Sequence, residues 1–382
     1  MIPLPLPILL WLRTALLSRL PRAGLVAVSL GALLSCSPQS YLAVMPGVVN
    51  NPANRTLRRE LLAMGTSTLC KEVMKRSVAL KLNPDDPGLG RFYPQKCAVD
   101  TLQNGDLYIQ FAGMGYAWSN LTKRVGFNAS AAIEYDQDFR LDGSTMYVYF
   151  RPRAITSKQF TSIMVEGGAL PSTPISPILP GNSAQDFVNR VGDGLLAFEL
   201  GEGFTVIRES DGTAIFSPGM LEVGQRPLEP YDRQNRDRTL IMNERVEIHE
   251  GQRDYAGPIE VPDDGSAIYV TLMVEGTSAV DIQVHPRGSG DAWLAQYVSI
   301  KDAGPPPAAP LYEEAVQSAS AGPTTVPGSA GPSAFRRRIR VPRGSYYLVV
   351  DNTRTAGQSH PPAVALDDRA ALVGLAVEVG SE

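Results

Sequence analysis

Three carboxylates are clustered in one stretch of the chain. Glu134, Asp136 and Asp138 stand two residues apart, within a segment whose composition predicts a strand over residues 124–139. Successive side chains of a strand point to opposite faces, so these three acids share one face. Two carboxylates held close together can act as general acid and base on a glycosidic bond. A cell-envelope hydrolase that uses paired carboxylates is therefore one hypothesis for the function.

Histidine chemistry has less support in the sequence. The chain contains His249, His285 and His360, and it lacks the G-x-S-x-G pattern of the α/β-hydrolases. His249 and the following Glu250 begin like a zincin motif, but no second histidine follows at the required spacing. We expect the histidines to occupy surface or strand positions, and we predict no catalytic residue, no metal ligand and no cofactor.

Five aromatic side chains occupy predicted strands of the N-terminal half and can line a ligand groove. They are Tyr116, Trp118, Tyr135, Tyr147 and Tyr149. Aromatic side chains in strands also fill cores or pair across neighbouring strands. The sequence leaves both interpretations open.

The cysteines predict one disulfide. Cys70 and Cys97 are separated by 26 residues, and an even pair in an exported chain is typical of a disulfide. Closing a loop of this length stabilises the fold by roughly 3.5 kcal/mol in the chain-entropy account. Two free thiols are the alternative. The chain has no C-x-x-C spacing, so neither a redox motif nor a zinc knuckle is indicated.

The first 35 residues predict a signal peptide. Arg13, Arg19 and Arg22 precede an uncharged apolar run over residues 24–35, which has the length of a signal-peptide core and is too short to span a bilayer comfortably. The run ends in Leu33-Leu34-Ser35-Cys36. This tetrapeptide resembles the bacterial lipobox, in which the cysteine receives diacylglycerol.

The lipobox resemblance implies a membrane anchor on Cys36 and a tether over residues 36–55. Ser37 follows the cysteine; in the enteric sorting pattern an aspartate there retains a lipoprotein in the inner membrane, so Ser37 favours the outer membrane. Without residues 1–35 the chain has 32 basic and 39 acidic residues, a formal charge of −7. This balance argues against nucleic acid as a partner. It also weakly repels an anionic lipid surface, so membrane contact requires the covalent anchor.

Length and composition predict two folded parts. The 382 residues include 35 Gly and 31 Pro, which favours many turns and short strands. We expect an α+β domain over residues 56–218, with an antiparallel sheet and helices over 57–79 and 184–200. A polar linker over residues 219–238 follows, and then an all-β sandwich over residues 239–382.

The C-terminal part predicts about seven short strands. Val280, Ile282 and Val284 alternate with Asp281, Gln283 and His285, a pattern that gives one apolar face. Residues 292–300 are predicted to be another strand. Residues 302–334 are rich in Gly, Pro, Ala and Ser and predict a flexible insertion. The closing run 344–352, GSYYLVVDN, resembles the final strands of small GOLD-like or pre-peptidase-type sandwiches, which implies an accessory module.

The densest basic run is Arg336-Arg337-Arg338, followed by Arg340. Such a run can contact lipid phosphates or an acidic partner. It can equally be a charged edge strand that prevents aggregation.

Together these patterns predict a non-enzymatic outer-membrane lipoprotein that faces the periplasm or the cell surface and binds or supports envelope components. The expected partners are the membrane, reached through the lipid anchor, and envelope proteins or a lipid ligand. Carriage of a lipid or another hydrophobic ligand is the first alternative. The paired-carboxylate hydrolase is the second.

Overall fold

The structure is a computed structural model. It describes residues 50–66, 69–83, 85–119, 123–166, 184–210, 214–227, 229–232, 235, 237–276, 279–301, 304–318, 334–359 and 370–381.

The N-terminal unit, residues 50–218, is built on one antiparallel sheet of seven strands that follow one another in chain order. Three helices accompany it: α1 Arg55–Thr66, α2 Leu69–Val73 and α3 Ala184–Glu202. The strands are β1 Val78–Ala79, β2 Gly90–Thr101, β3 Leu107–Ser119, β4 Lys123–Asp142, β5 Thr145–Val165, β6 Phe204–Arg208 and β7 Ala214–Pro218.

The two longest strands, β4 and β5, give the sheet its curl. Asp142 pairs with Thr145 across a tight turn in which Gly143 has a φ of 57°, a conformation that glycine adopts at low cost. The β4–β5 register shifts three times and leaves Arg153, Thr156 and Ile163 of β5 without an opposite residue. Such bulges bend a strand and increase its twist.

The free edge of β5 is covered by side chains of α3. Asn189 and Asp193 lie one helical turn apart, and their side-chain oxygens accept hydrogen bonds from the backbone N–H groups of Ser162 (2.7 Å) and Phe160 (3.0 Å). Four helical residues span about 6 Å and two strand residues about 6.7 Å, so the two spacings match. Gly192 stands where a β-carbon would collide with the Phe160 ring. The helix thus satisfies edge groups that another chain could otherwise pair with.

The C-terminal unit, residues 239–381, contains two four-stranded antiparallel sheets, with the orders β13-β10-β15-β8 and β12-β11-β14-β9. Helix α4, Arg287–Ser299, follows β11. The strands are β8 Thr239–Ile248, β9 Gln252–Val261, β10 Ala267–Glu275, β11 Ala279–Pro286, β12 Tyr312–Gln317, β13 Phe335–Ile339, β14 Gly344–Asn352 and β15 Ala371–Gly380. Apolar side chains from both sheets form one core, in which Val280, Ile282 and Val284 are fully buried.

The expected fold class, an α+β N-terminal domain with two helices plus a separate all-β sandwich, is wrong. The described residues are mostly strand, and the N-terminal unit is a curled seven-stranded sheet rather than an α+β domain. The C-terminal unit contains helix α4, which is buried along one side, and it shares an aromatic cluster with the N-terminal sheet. The two parts are therefore not separate.

The prediction of a strand over residues 292–300 is also wrong, because these residues belong to α4. Trp293, Leu294, Tyr297 and Val298 are buried on one side of that helix. Their spacing of one, three and four residues is helical, and it outweighs the strand preference of tryptophan, tyrosine and valine. Within the segment expected to be a flexible insertion, residues 312–317 form β12.

None of the helices among the described residues combines the length and apolar character that crossing a bilayer requires. Residues 1–35, Cys36 and most of the tether lie outside the described residues.

The predicted disulfide is confirmed. Cys70 of α2 and Cys97 of β2 are bonded, with their Cα atoms 5.4 Å apart. The bond fastens α2 to the strand at one side of the sheet, beside the core that contains Leu69.

Replacing both cysteines, as Cys70→Ser with Cys97→Ser, should lower the free energy of unfolding by about 2–4 kcal/mol, because the unfolded chain regains the freedom of the closed loop. Urea unfolding followed by circular dichroism measures the change. The wild-type protein in reductant is the matched control and should lose a similar amount. An unchanged unfolding midpoint in the double variant would contradict this role.

Candidate functional site

The two units meet at a buried junction formed by β2, β3 and β4 on one side and by β9, β14 and α4 on the other. Strand β3 serves two cores. Leu107 and Ile109 pack with α1 and α2, whereas Tyr116, seven residues beyond Ile109, packs with Tyr255 and Tyr297 of the C-terminal unit. Residues an odd number apart lie on opposite faces of a strand. One face therefore packs against the N-terminal helices and the other against the C-terminal unit.

Helix α4 rests directly on β4. A β-carbon at Gly126 would collide with the carbonyl of Val298, so only glycine permits this approach of the two backbones. Beside it, the guanidinium of Arg124, whose side chain is 2% exposed, donates to the carbonyl oxygens of Ile300, at 3.0 Å, and Lys301. It also lies 4.0 Å over the Tyr297 ring. A cation at a helix C-terminus is stabilised by the helix dipole.

A buried ion pair lies at the centre of the junction. The guanidinium of Arg91 donates to both carboxylate oxygens of Asp254, from Nε at 2.9 Å and from Nη2 at 2.5 Å, and Nη2 also donates to Glu244 at 2.5 Å. Burial alone would lower the pKa of Arg91, but the charges of Asp254 and Glu244 outweigh it and raise that pKa well above its ordinary value. Arg91 therefore stays protonated.

Two tyrosines complete the hydrogen bonding around this pair. Tyr116 donates to Asp254 at 2.7 Å and accepts from the backbone N–H of Tyr255 at 2.9 Å. Tyr93 donates to the Tyr255 carbonyl at 2.6 Å. Burial raises the pKa of both phenols well above the usual range, so they remain neutral donors. Both oxygens of Asp254 therefore accept hydrogen bonds from Arg91 or Tyr116.

A second buried ion pair supports the same junction from within the C-terminal unit. Arg253 donates to Asp351 through Nε and to Thr353 through Nη2 at 3.0 Å, and its guanidinium lies 4.6 Å from the Trp293 ring. Burial raises the pKa of Asp351, and the charge of Arg253 opposes this shift. The indole N–H of Trp293 donates to the Gly304 carbonyl at 3.1 Å. Helix α4 is thus fixed on its own sheet as well as on β4.

A small cavity lies next to the junction, between Trp118 and Gln252. Trp118 of the N-terminal unit stacks on His249 of the C-terminal unit, with ring centroids 3.1 Å apart. The cavity volume of about 10 Å³ holds one water molecule. Arg124 Nε and Gln252 Nε2 are buried here without a hydrogen-bond acceptor among the described residues. Its size and donors suit a bridging water.

The five aromatic residues predicted to line a groove are all buried, and the structure does not bring them together. Tyr116 and Trp118 lie at the junction. Tyr135 packs in the core beneath α1 and α2. Tyr147 and Tyr149 form a third cluster with Ile207 of β6.

Two of the three clustered carboxylates are ion-paired with arginines. Asp138 accepts from Arg58 and from Arg140, the latter at 2.9 Å, and Asp136 lies 3.7 Å from Arg153. These arrangements use the carboxylates to neutralise neighbouring guanidinium groups on the N-terminal sheet.

The histidines were expected at surface or strand positions. His285 lies on a strand, as expected, and His249 directly follows one, but both side chains are buried. His249 is 5% exposed and lies 2.7 Å from Glu247. His285 is fully buried on β11 beside Gln283 and the Trp293 ring. His360 lies outside the described residues. Among the described residues, no group of His, Cys, Asp and Glu side chains is arranged to hold a metal ion.

Sequence reasoning missed the ion-paired residues at the centre of the junction, although it singled out Tyr116 and Trp118, which lie there. Arg91 and Asp254 are 163 residues apart, and neither stands in a recognisable motif. Helix α4 carries the one signal that could have been used, the spacing of Trp293, Leu294, Tyr297 and Val298.

No protein-family model matches the sequence, and no curated protein matches it at a significant level.

Replacing Asp254 by alanine should lower the free energy of unfolding by about 3–5 kcal/mol, because it leaves the charge of Arg91 buried without its main partner. Guanidinium chloride unfolding followed by tryptophan fluorescence gives the value. Glu260→Ala, which removes an exposed acid from the same strand, is the matched control and should change stability by less than about 0.5 kcal/mol. Equal effects of the two substitutions would rule out a special role for the ion pair.

The stability should also depend on pH through His285. Burial lowers its pKa to about 4 in the folded protein, whereas the unfolded chain protonates near its ordinary value of about 6.5. The contribution of this residue is therefore fully present above pH 6.5 and is lost as the pH falls towards 4, with a slope of at most about 1.4 kcal/mol per pH unit.

The measurement compares urea unfolding of the wild-type protein and His285→Gln across this pH range. The stability of the wild type relative to the variant should decrease towards low pH. Asp351, which also has a shifted pKa, is present in both proteins and cancels in the comparison. A constant difference across the range would contradict the prediction.

Proposed function

We propose that this protein is a lipoprotein of the bacterial outer membrane, anchored through diacylglycerol on Cys36, that acts by binding or supporting envelope components rather than by catalysis. The observation that carries the non-catalytic part is the buried junction. Arg91, Asp254, Arg253 and Asp351, which could contribute reactive charges, are buried and hydrogen-bonded to one another in pairs. These charged groups hold the two β units in one arrangement. A protein that presents a fixed surface to its partners needs such a rigid arrangement.

The position of the anchor supports the same proposal. Asn50 exchanges two hydrogen bonds with the backbone of Leu141 in β4, so 13 residues separate Cys36 from the folded body. A chain of this length reaches at most roughly 50 Å when extended. The body can therefore contact the membrane that carries it or components of the adjacent periplasm.

The alternatives have less support. A lipid carrier needs room for an acyl chain, and the aromatic residues that could line such a groove are at most 9% exposed and packed in separate clusters. A hydrolase needs an available carboxylate, and Asp136 and Asp138 are engaged by arginines.

The anchor is tested by intact mass of the protein extracted from membranes. We expect a mass that corresponds to residues 36–382 with a diacylglycerol and an acyl chain, and we expect Cys36→Ser to remove the lipid and release the protein from the outer-membrane fraction. The Cys70→Ser, Cys97→Ser double variant is the control and should keep the lipid. A mass that lacks lipid in the wild type would refute the anchor and the localisation.

A further inference from the structure

His285 lies where β11 meets α4, and its side chain has no exposed surface. Its imidazole packs against the ring of Trp293, with ring centroids 5.0 Å apart. Trp293 stands in the first half of α4. Across β11 and β14, position 285 pairs with Tyr347. The protonation state of this ring therefore bears directly on how α4 is held against its own sheet.

The hydrogen bonds of Gln283 fix which ring nitrogen of His285 carries the hydrogen. Gln283 Nε2 donates to Oε1 of Glu313 at 3.0 Å, and an ionised carboxylate only accepts. The amide oxygen of Gln283 therefore faces the imidazole, 3.0 Å from Nε2 of His285. An acceptor at this place requires hydrogen on Nε2, so Nδ1 carries none in the neutral ring.

The other ring nitrogen, Nδ1, is buried and has no hydrogen-bond partner among the described residues. Protonation turns Nδ1 into an N–H donor and gives the ring a positive charge. A buried donor without an acceptor is costly, and a buried charge without a counter-charge costs more. The packed arrangement of α4 on β11 therefore requires the neutral ring.

The charged and titratable side chains on the elements around His285 are engaged with partners of their own. The carboxylate of Asp281 accepts from the backbone N–H groups of residues 358 and 359, and that of Glu313 accepts from Gln283. The other groups are joined in pairs: Tyr347 with Asp291, Arg287 with Asp291, and Arg253 with Asp351. Within the described part of the chain, the polar contact of His285 is Gln283. Burial is therefore the reason that the pKa of His285 is lowered to about 4.

We propose that His285 and Gln283 form a pH-sensitive latch, which holds the first turns of α4 against β11 while the ring is neutral and releases them when Nδ1 is protonated. Release lets water reach the ring and accept the hydrogen bond from Nδ1. The attachment of the other end of α4 to β4, through Arg124 and Gly126, contains no titrating histidine and remains. The latch does not rest on the proposed function, because it is the same whether or not Cys36 carries a lipid.

The direction of the effect follows from two pKa values. The ring titrates at about 4 in the packed arrangement and near its ordinary value of about 6.5 once water reaches it. The latch therefore holds fully above pH 6.5 and weakens as the pH falls towards 4. Between pH 7 and pH 5 the equilibrium constant for release should rise on the order of tenfold.

The experiment uses the full mature protein as isolated from membranes, in detergent solution. Hydrogen exchange of the amides in residues 287–294 is measured by mass spectrometry at pH 7 and pH 5, and each rate is divided by the rate of an unstructured peptide at the same pH. We expect the corrected exchange of these amides to be on the order of tenfold faster at pH 5. The corrected exchange of β15, in the core between the two sheets, should be the same at both pH values.

Two variants assign the effect to this ring. His285→Gln removes the titrating group and should make the corrected exchange of α4 independent of pH. His249→Gln is the same substitution at the other described histidine, and it should leave the pH dependence intact.

A nuclear magnetic resonance measurement on the wild-type protein keeps the test decisive if His285→Gln does not fold. With ¹⁵N-labelled histidine, the ring of His285 is identified by its contacts to Trp293. At pH 7 it should carry hydrogen on Nε2 and none on Nδ1, and its titration should accompany the rise in exchange of α4.

Equal corrected exchange of α4 at the two pH values overturns the proposal, and so does hydrogen on Nδ1 at pH 7. A pH dependence that survives in His285→Gln, or one that is lost in His249→Gln, overturns it as well. Equal acceleration of β15 at pH 5 also overturns it, because acid then unfolds the C-terminal unit as a whole instead of releasing the helix.

Discussion

The ion pair between Arg91 and Asp254 is the interaction on which the arrangement of the two β units depends. Each residue comes from a different unit and is almost completely buried. Removing two charges from water is costly unless geometry and additional hydrogen bonds compensate. Here Glu244 and Tyr116 supply those bonds. A placement of the units that buries one of these residues without the other leaves a buried charge unmatched, so the pair favours this relative arrangement.

Helix α4 also holds the two units in this relative arrangement. It interrupts the strands of the C-terminal unit after β11, and it is fixed on one side by Arg253 and Trp293 and on the other by Arg124 and Gly126. The helix therefore belongs to both units. Its position explains why the tyrosines of β2 and β3 are buried although they lie at the opposite end of the sheet from the N-terminal helices.

A different interaction stabilises each margin of the sheets. Asn189 and Asp193 of α3 accept from the free backbone groups of β5, and Arg337 with Glu314 closes the open side of the C-terminal sheets. The bond between Cys70 and Cys97 fastens the opposite side of the N-terminal sheet. Satisfied edges limit pairing with other chains.

Local patterns were sufficient for features that depend on nearby residues or on simple chemistry. The pairing of Cys70 with Cys97 followed from the number of cysteines, and the Asp-Gly dipeptide is a general signal for the kind of hairpin turn found at Gly143. The alternation of β11 correctly placed Val284 and its neighbours in the core. In each case the determining interaction is a covalent bond, a backbone preference or the two-residue period of a strand.

Which distant segments pack against each strand and helix was decided only by the tertiary structure. Asp281 and His285 occupy the face of β11 opposite the apolar one, as the alternation implies, yet both are fully buried because α4 and residues 351–359 cover them. The strand preference of Trp293 and Tyr297 was overridden by the packing of α4 on two sheets. Arg91 and Asp254 meet across 163 residues, and neither has a local pattern that names its partner. A sequence encodes such a pair only through the complete fold, because the free energy that justifies burying each charge comes from the other.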